Sequence, residues 1–101
     1  MSAHPPIFAV IRNRGANWNE SASLEGQRDW QAHADFMDGL AAEGFALLVG
    51  PLEGTRDALL ILRASSADEI HSRLAADPWS HSGLLRTTLV APWTLRIGSL
   101  D

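Results

Sequence analysis

Apolar and polar positions divide the chain into segments of different period. Ile7-Phe8-Ala9-Val10-Ile11 is a short apolar run rich in β-branched residues, which predicts a strand. A polar stretch of about fifteen residues, Asn13 to Gln27, follows and is marked by Gly15 and Gly26. Connections of that length often act as lids or binding loops; the other readings are disorder or a short helical turn near Ser23–Gly26. From Gln27 to Glu43 the spacing becomes helical, with Trp30, Ala34, Met37 and Ala41 three or four apart and His33, Phe36 and Leu40 beside them. Gly44 stands where a helix commonly ends in the left-handed conformation.

Phe45 to Val49 and Ala58 to Leu62 read as strands, and the short turn through Gly50-Pro51 and Glu53-Gly54-Thr55-Arg56 makes them hairpin neighbours. Ser66-Ala67-Asp68-Glu69 has the S-x-x-E pattern of a capping box, so a second helix starts there, with Ile70 and Leu74 as its apolar stripe. Asp77-Pro78 is expected to end it, because proline disfavours helical backbone in the residue before it. Leu84 to Val90 is extended, Pro92 interrupts, and Trp93-Thr94-Leu95-Arg96-Ile97 alternates with a period of two, as a bend or an extra strand. The order β-α-β-β-α-β predicts a ferredoxin-like α+β sandwich with an antiparallel sheet.

The strands carry a further expectation. Ile7–Ile11, Phe45–Val49 and Leu59–Leu62 are almost continuously apolar, as in sheets buried on both faces. Two helices shield only one face, and an open apolar face of that width exceeds what monomers usually expose. A second subunit is therefore expected over the open sheet face, most simply in a two-fold homodimer.

Composition narrows the classes. With 101 residues, 46% hydrophobic and 20% charged, the chain fits one globular domain, its core about 7–98. There are no cysteines, hence no disulfide or thiolate chemistry. The net charge is −4, and the eight basic residues are arginines without a cluster, so nucleic acid is not an expected partner. No apolar run is long enough to cross a bilayer, and Met1–Ile7 lacks the features of a secretory signal, so no membrane role and a cytoplasmic location are expected. His4, His33, His71 and His81 show no recognised zinc spacing, and no phosphate-binding glycine motif or nucleophile elbow occurs. No metal or cofactor is expected.

His33 and Asp77 are the candidate reactive residues. His33, three residues after Trp30 and three before Phe36, projects near the apolar side of its helix. It suits general acid–base work, although a buried histidine bonded to a backbone carbonyl is the commoner outcome. Asp77 at the end of the second helix is disfavoured by the helix dipole. Either it starts a turn through its own backbone, or it meets a cation or imidazole across a pocket. Trp18 in the polar loop is a candidate lid or partner contact, and Trp79 a candidate pocket wall beside the carboxylate. Trp30 and Trp93 are expected simply to fill core or interface.

Taken together, His33-x-x-Phe36-x-x-x-Leu40, Gly44, Gly50-Pro51, the capped second helix, Asp77-Pro78-Trp79 and Pro92-Trp93 resemble the YCII-related (YciI-like) family of the dimeric α/β-barrel superfamily. The likeness runs over roughly Ile7 to Gly98. It implies a His33–Asp77 dyad in a pocket between helices and sheet, with Gly50 and Pro51 shaping that pocket. Trp79 stands where the family more often has phenylalanine, and the family's arginine ahead of the histidine is matched only loosely by Arg28. The enzymatic relatives to which the resemblance points move protons on small ring compounds without a metal. The resemblance thus implies a small lyase or isomerase, with Trp79 and Trp18 bounding a site for a cyclic or aromatic metabolite. A non-catalytic small-molecule-binding or interaction module of the same fold and a cofactor-free monooxygenase are the alternatives.

Overall fold

A computed structural model describes residues 6–100. Met1 to Pro5, most of the stretch read above for a secretory signal, and His4 with it, lie outside the described residues. The elements are β1 (Ile7–Arg14), α1 (Trp30–Ala42), β2 (Ala46–Pro51), β3 (Asp57–Arg63), α2 (Ala67–Leu74), a single-turn α3 (Pro78–His81) and β4 (Leu85–Pro92). The strands form one antiparallel sheet in the order β2-β3-β1-β4, the ferredoxin-like arrangement, with β2 and β3 as hairpin neighbours.

Side-chain alternation assigns the two faces. Phe8, Val10 and Arg12 of β1 pair with Leu62, Leu60 and Ala58 of β3 and turn toward the helices. Ile70 and Leu74 of α2 and Leu40 of α1 complete that core. Val10, Leu60, Leu62, Ile70 and Leu74 are at most 1% exposed. Burial of such a side chain stabilises by about 2 kcal/mol. The opposite face carries Ala9, Ile11, Leu59 and Ile61, flanked by Leu48 and Leu89. Ile61 is buried, whereas Leu48 is 55% and Leu89 48% exposed.

Local chemistry explains the helix boundaries. At the end of α1, Gly44 has φ 79°, and the N–H groups of Gly44 and Phe45 donate to the carbonyls of Ala41 and Leu40. This is a Schellman ending, with Phe45 and Leu40 both in the core. Ser66 Oγ caps α2 by accepting from Glu69 N–H at 3.2 Å, while the Glu69 carboxylate accepts from Ser65 N–H at 2.7 Å. The box therefore closes one residue earlier than the standard form.

Three expectations need correction. The first helix starts at Trp30, not Gln27, because Asp29 is left-handed (φ 60°) and Gln27 is committed to the preceding loop. Its buried stripe runs through Phe36, Met37 and Leu40, leaving Ala41 exposed. Asp77 does not terminate α2, which ends at Leu74; it caps the start of α3, where a carboxylate is favoured. Of the two readings of Trp93–Ile97, a bend or an extra strand, the structure has the bend: β4 stops at Pro92, and a bend follows at Arg96-Ile97.

Candidate functional site

The long loop between β1 and α1 is ordered by a buried glutamine. Gln27, 4% exposed, donates through Nε2 to the carbonyls of Asn19, Ala22 and Ser23 and accepts from Asn19 N–H through Oε1. The start of the loop is tied to the segment before β4. Gly15 N–H donates to Leu84 O at 2.8 Å, and Asn17 Nδ2 donates to Ser82 O at 2.9 Å. These bonds hold Trp18 edge-on to Trp79, ring centroids 5.4 Å apart. Trp18, Trp79 and Leu84 form a second buried cluster, with Trp30 and Leu85 packed against it.

Beside this cluster lies Asp77, fully buried. As the cap of α3 it accepts from Trp79 N–H through Oδ1 at 3.0 Å. His33 of α1 reaches it from the other side, with Nδ1 2.9 Å from each carboxylate oxygen. Arg12 of β1 donates from a guanidinium NH2 group to Oδ2 at 2.7 Å. Its other NH2 group bonds Ser80 Oγ, which in turn donates to Leu74 O at 2.7 Å. Both the local and the long-range reading of Asp77 therefore describe it.

Burial by itself would raise the Asp77 carboxyl. The hydrogen bonds from His33 and Trp79 N–H, the charge His33 carries when protonated, and the bond from Arg12 outweigh it, so the group lies below the usual carboxylate range. Burial pulls the Arg12 guanidinium down from its ordinary value, opposed by its bond and attraction to Asp77. An ionised Asp77 only accepts, so the hydrogen of a neutral His33 sits on Nδ1 and its basic nitrogen is Nε2.

The imidazole is clamped as well as bonded. It stacks on Trp79, with centroids 3.8 Å apart and planes 5° from parallel, and Trp79 Nε1 donates to Arg28 O at 2.6 Å. Next to this stack opens a cavity of about 230 Å³. Trp18, Trp30, Trp79 and His33 form one side; Val49, Gly50, Pro51 and Ala58 form the sheet side; Leu24 and Leu85 contribute further apolar surface. Arg14, Arg56 and Asp57 supply its charged groups. The space is below the roughly 300–1,000 Å³ of drug-sized ligand pockets and suits a molecule of about one ring.

All six candidates from the sequence meet here: His33, Trp79, Trp18, Gly50 and Pro51 line the cavity, and Asp77 stands behind His33. Trp30, expected as filler, is also part of the wall, whereas Trp93 lies away from it and is 44% exposed. Sequence reading missed Arg12. Its signal was present: it continues the inward register of Phe8 and Val10, and a cation in that phase requires a buried acid. Among the described residues, no group of three or more histidine, aspartate or glutamate side chains is arranged to hold a metal ion.

Fold and site together define a class: ferredoxin-like α+β chains in which helices and sheet enclose an aromatic cavity beside a carboxylate-bound histidine. The chain belongs to the YCII-related family of the dimeric α/β-barrel superfamily; residues 16–94 match the YCII-related domain. In structure it is similar to 5-chloro-2-hydroxyhydroquinone dehydrochlorinase from Burkholderia phenoliruptrix AC1100, solved in complex with 2,5-dihydroxybenzoquinone. The two share 26% sequence identity over 87% of this chain and 93% of that chain, with a TM-score of 0.67. No curated protein sequence matches the chain.

Proposed function

We propose that the protein is a small cytoplasmic enzyme of the lyase or isomerase type, acting on a cyclic or aromatic metabolite held in the cavity. The observation that carries this reading is the 2.9 Å bond between His33 Nδ1 and buried Asp77, with the same imidazole facing the cavity. In the mechanism, His33 Nε2 removes a proton from an sp³ ring carbon activated by a carbonyl, which in a hydroxyquinol is supplied by its keto tautomer. The electron pair of the broken C–H bond moves into that conjugated carbonyl. Asp77 keeps the proton on Nδ1 and stabilises the imidazolium that forms, as the acid does in hydrolase triads. The imidazolium then returns its proton to another atom, or the electron pair expels a leaving group. The solved neighbour, a dehydrochlorinase holding a benzoquinone, supports this substrate class. No helix among the described residues is long and apolar enough to cross a membrane.

The same reading includes a two-fold homodimer in which the partner covers the sheet face bearing Leu48 and Leu89. Solvent deuterium incorporation and leaving-group release, followed by NMR across a panel of substituted hydroquinones and hydroxyquinols, test the activity. His33→Ala is expected to lower turnover by about 10² or more while leaving the fold intact. Unchanged turnover in that variant refutes the role of His33. Saturable binding of the panel with no turnover points to a binding module instead, and oxygen uptake points to a monooxygenase.

A further inference from the structure

The cavity carries a charged end that the dyad does not use. Of its charged lining groups, Arg56 donates to Glu20, and Asp57 accepts from Asn13 Nδ2 at 2.8 Å. Arg14 differs. Its guanidinium lies 4.7 Å from the centre of the Trp18 ring, and its main-chain N–H donates to Arg56 O. Among the described residues, no acid pairs with that guanidinium. Its position over the indole gives the cation a π partner but no counter-ion, so the N–H fork that grips a carboxylate with two parallel bonds has no acid to satisfy it.

The rings extend from this cation to the dyad without a break. The Arg14 guanidinium lies over Trp18, Trp18 meets Trp79 edge-on at 5.4 Å, and Trp79 stacks on His33 at 3.8 Å. An aromatic wall with a basic nitrogen at one end and a free fork of donors at the other fits a flat, singly charged molecule. Behind the imidazole, Arg12 and Asp77 are already paired with one another.

We infer that Arg14 is the anion-binding end of the cavity, and that the ligand is a single-ring compound bearing a carboxylate. This rests on reading the cavity as a small-molecule site but not on turnover. Benzoate and benzamide, matched in size and different in charge, are suitable probes. Their binding is followed by NMR through the indole N–H signals, since three of the four tryptophans line the cavity. Benzoate is expected to bind at least tenfold more tightly than benzamide at neutral pH, and to shift the Arg14 side-chain N–H signal. Arg14→Gln is expected to bring the two within twofold. His33→Ala is expected to retain the preference, which separates Arg14 from a protonated imidazole as the holder of the anion.

Equal binding of the probes, a preference that survives Arg14→Gln or disappears in His33→Ala, or an unmoved Arg14 signal overturns the inference. The Arg14 signal uses the unaltered protein, so it decides even if Arg14→Gln does not fold. A protein that prefers benzoate yet transfers no proton keeps this subsite and loses the enzymatic reading. One that turns over neutral and anionic rings alike does the reverse.

Discussion

Replacing Arg12 by methionine tests how the buried charges are held. Arg12 and Asp77 are 2% and 0% exposed and meet at 2.7 Å. Two unit charges about 4 Å apart attract by about 4 kcal/mol at an effective dielectric constant near 20. Removing one partner of a buried pair typically costs about 3–5 kcal/mol, because the other is left uncompensated. His33 and Trp79 N–H still face Asp77 in the variant, which places Arg12→Met at the low end, near 3 kcal/mol. At about 4–8 °C per kcal/mol for a domain of this size, the melting temperature should fall by roughly 12–24 °C. Urea unfolding at pH 7 measures the loss, provided the denaturant slope is unchanged. Asp77→Asn strands Arg12 in the same way. The double variant carries neither charge, so it should be less destabilised than the sum of the two singles by about 2 kcal/mol. A loss below about 1 kcal/mol for Arg12→Met, or strict additivity in the double variant, refutes the reasoning.

Acid stability follows from the same carboxylate. Its native value lies below the ordinary one, so the unfolded chain binds more protons in acid. The contribution is complete above the unfolded value near 3.9 and is lost as pH falls through the lower native value. Urea midpoints should therefore drop more steeply below about pH 4 in the wild type than in Asp77→Asn, and equal slopes contradict this. At Gly15 a β-carbon would lie 2.3 Å from Gly83 O, so Gly15→Ala should detach the Trp18 loop and expose the indole. Trp18 fluorescence in a protein whose other tryptophans are replaced by phenylalanine checks this, and an unshifted emission counts against it. Leu48→Glu puts a charge on the open sheet face, which should convert the proposed dimer to monomer in sedimentation. A wild type that sediments as a monomer at micromolar concentration removes that part of the proposal.

Much of this fold could be read from local pattern. Strand periodicity, the left-handed stop at Gly44 and the Ser66 cap each report a short-range backbone requirement, and each corresponds to an observed element. Elements whose cause lies elsewhere were hidden. Trp93–Ile97 has the period of a strand, and whether it bends or pairs stayed open because alternation alone supplies no partner for its backbone; a bend formed. The single turn of α3 is too short for any periodicity, although aspartate followed by proline is a fair helix-start signal. For the site, the residue types were visible but their meeting was not: His33 and Asp77 lie 44 positions apart and are joined only by tertiary packing. Arg12 and Gln27 were missed for a related reason. Each is a polar side chain whose burial is satisfied by groups that adopt position only in the folded chain.

The protonation state of the His33 ring is the most direct measurement of the central claim, that Asp77 holds the imidazole with its basic nitrogen toward the cavity. Two-bond ¹⁵N–¹H correlation of the neutral ring, assigned by comparison with His33→Gln, distinguishes the two tautomers. The account predicts the hydrogen on Nδ1 and a bare Nε2, with Asp77→Asn disturbing that preference. A neutral ring carrying its hydrogen on Nε2 contradicts it, since no base would then face the cavity.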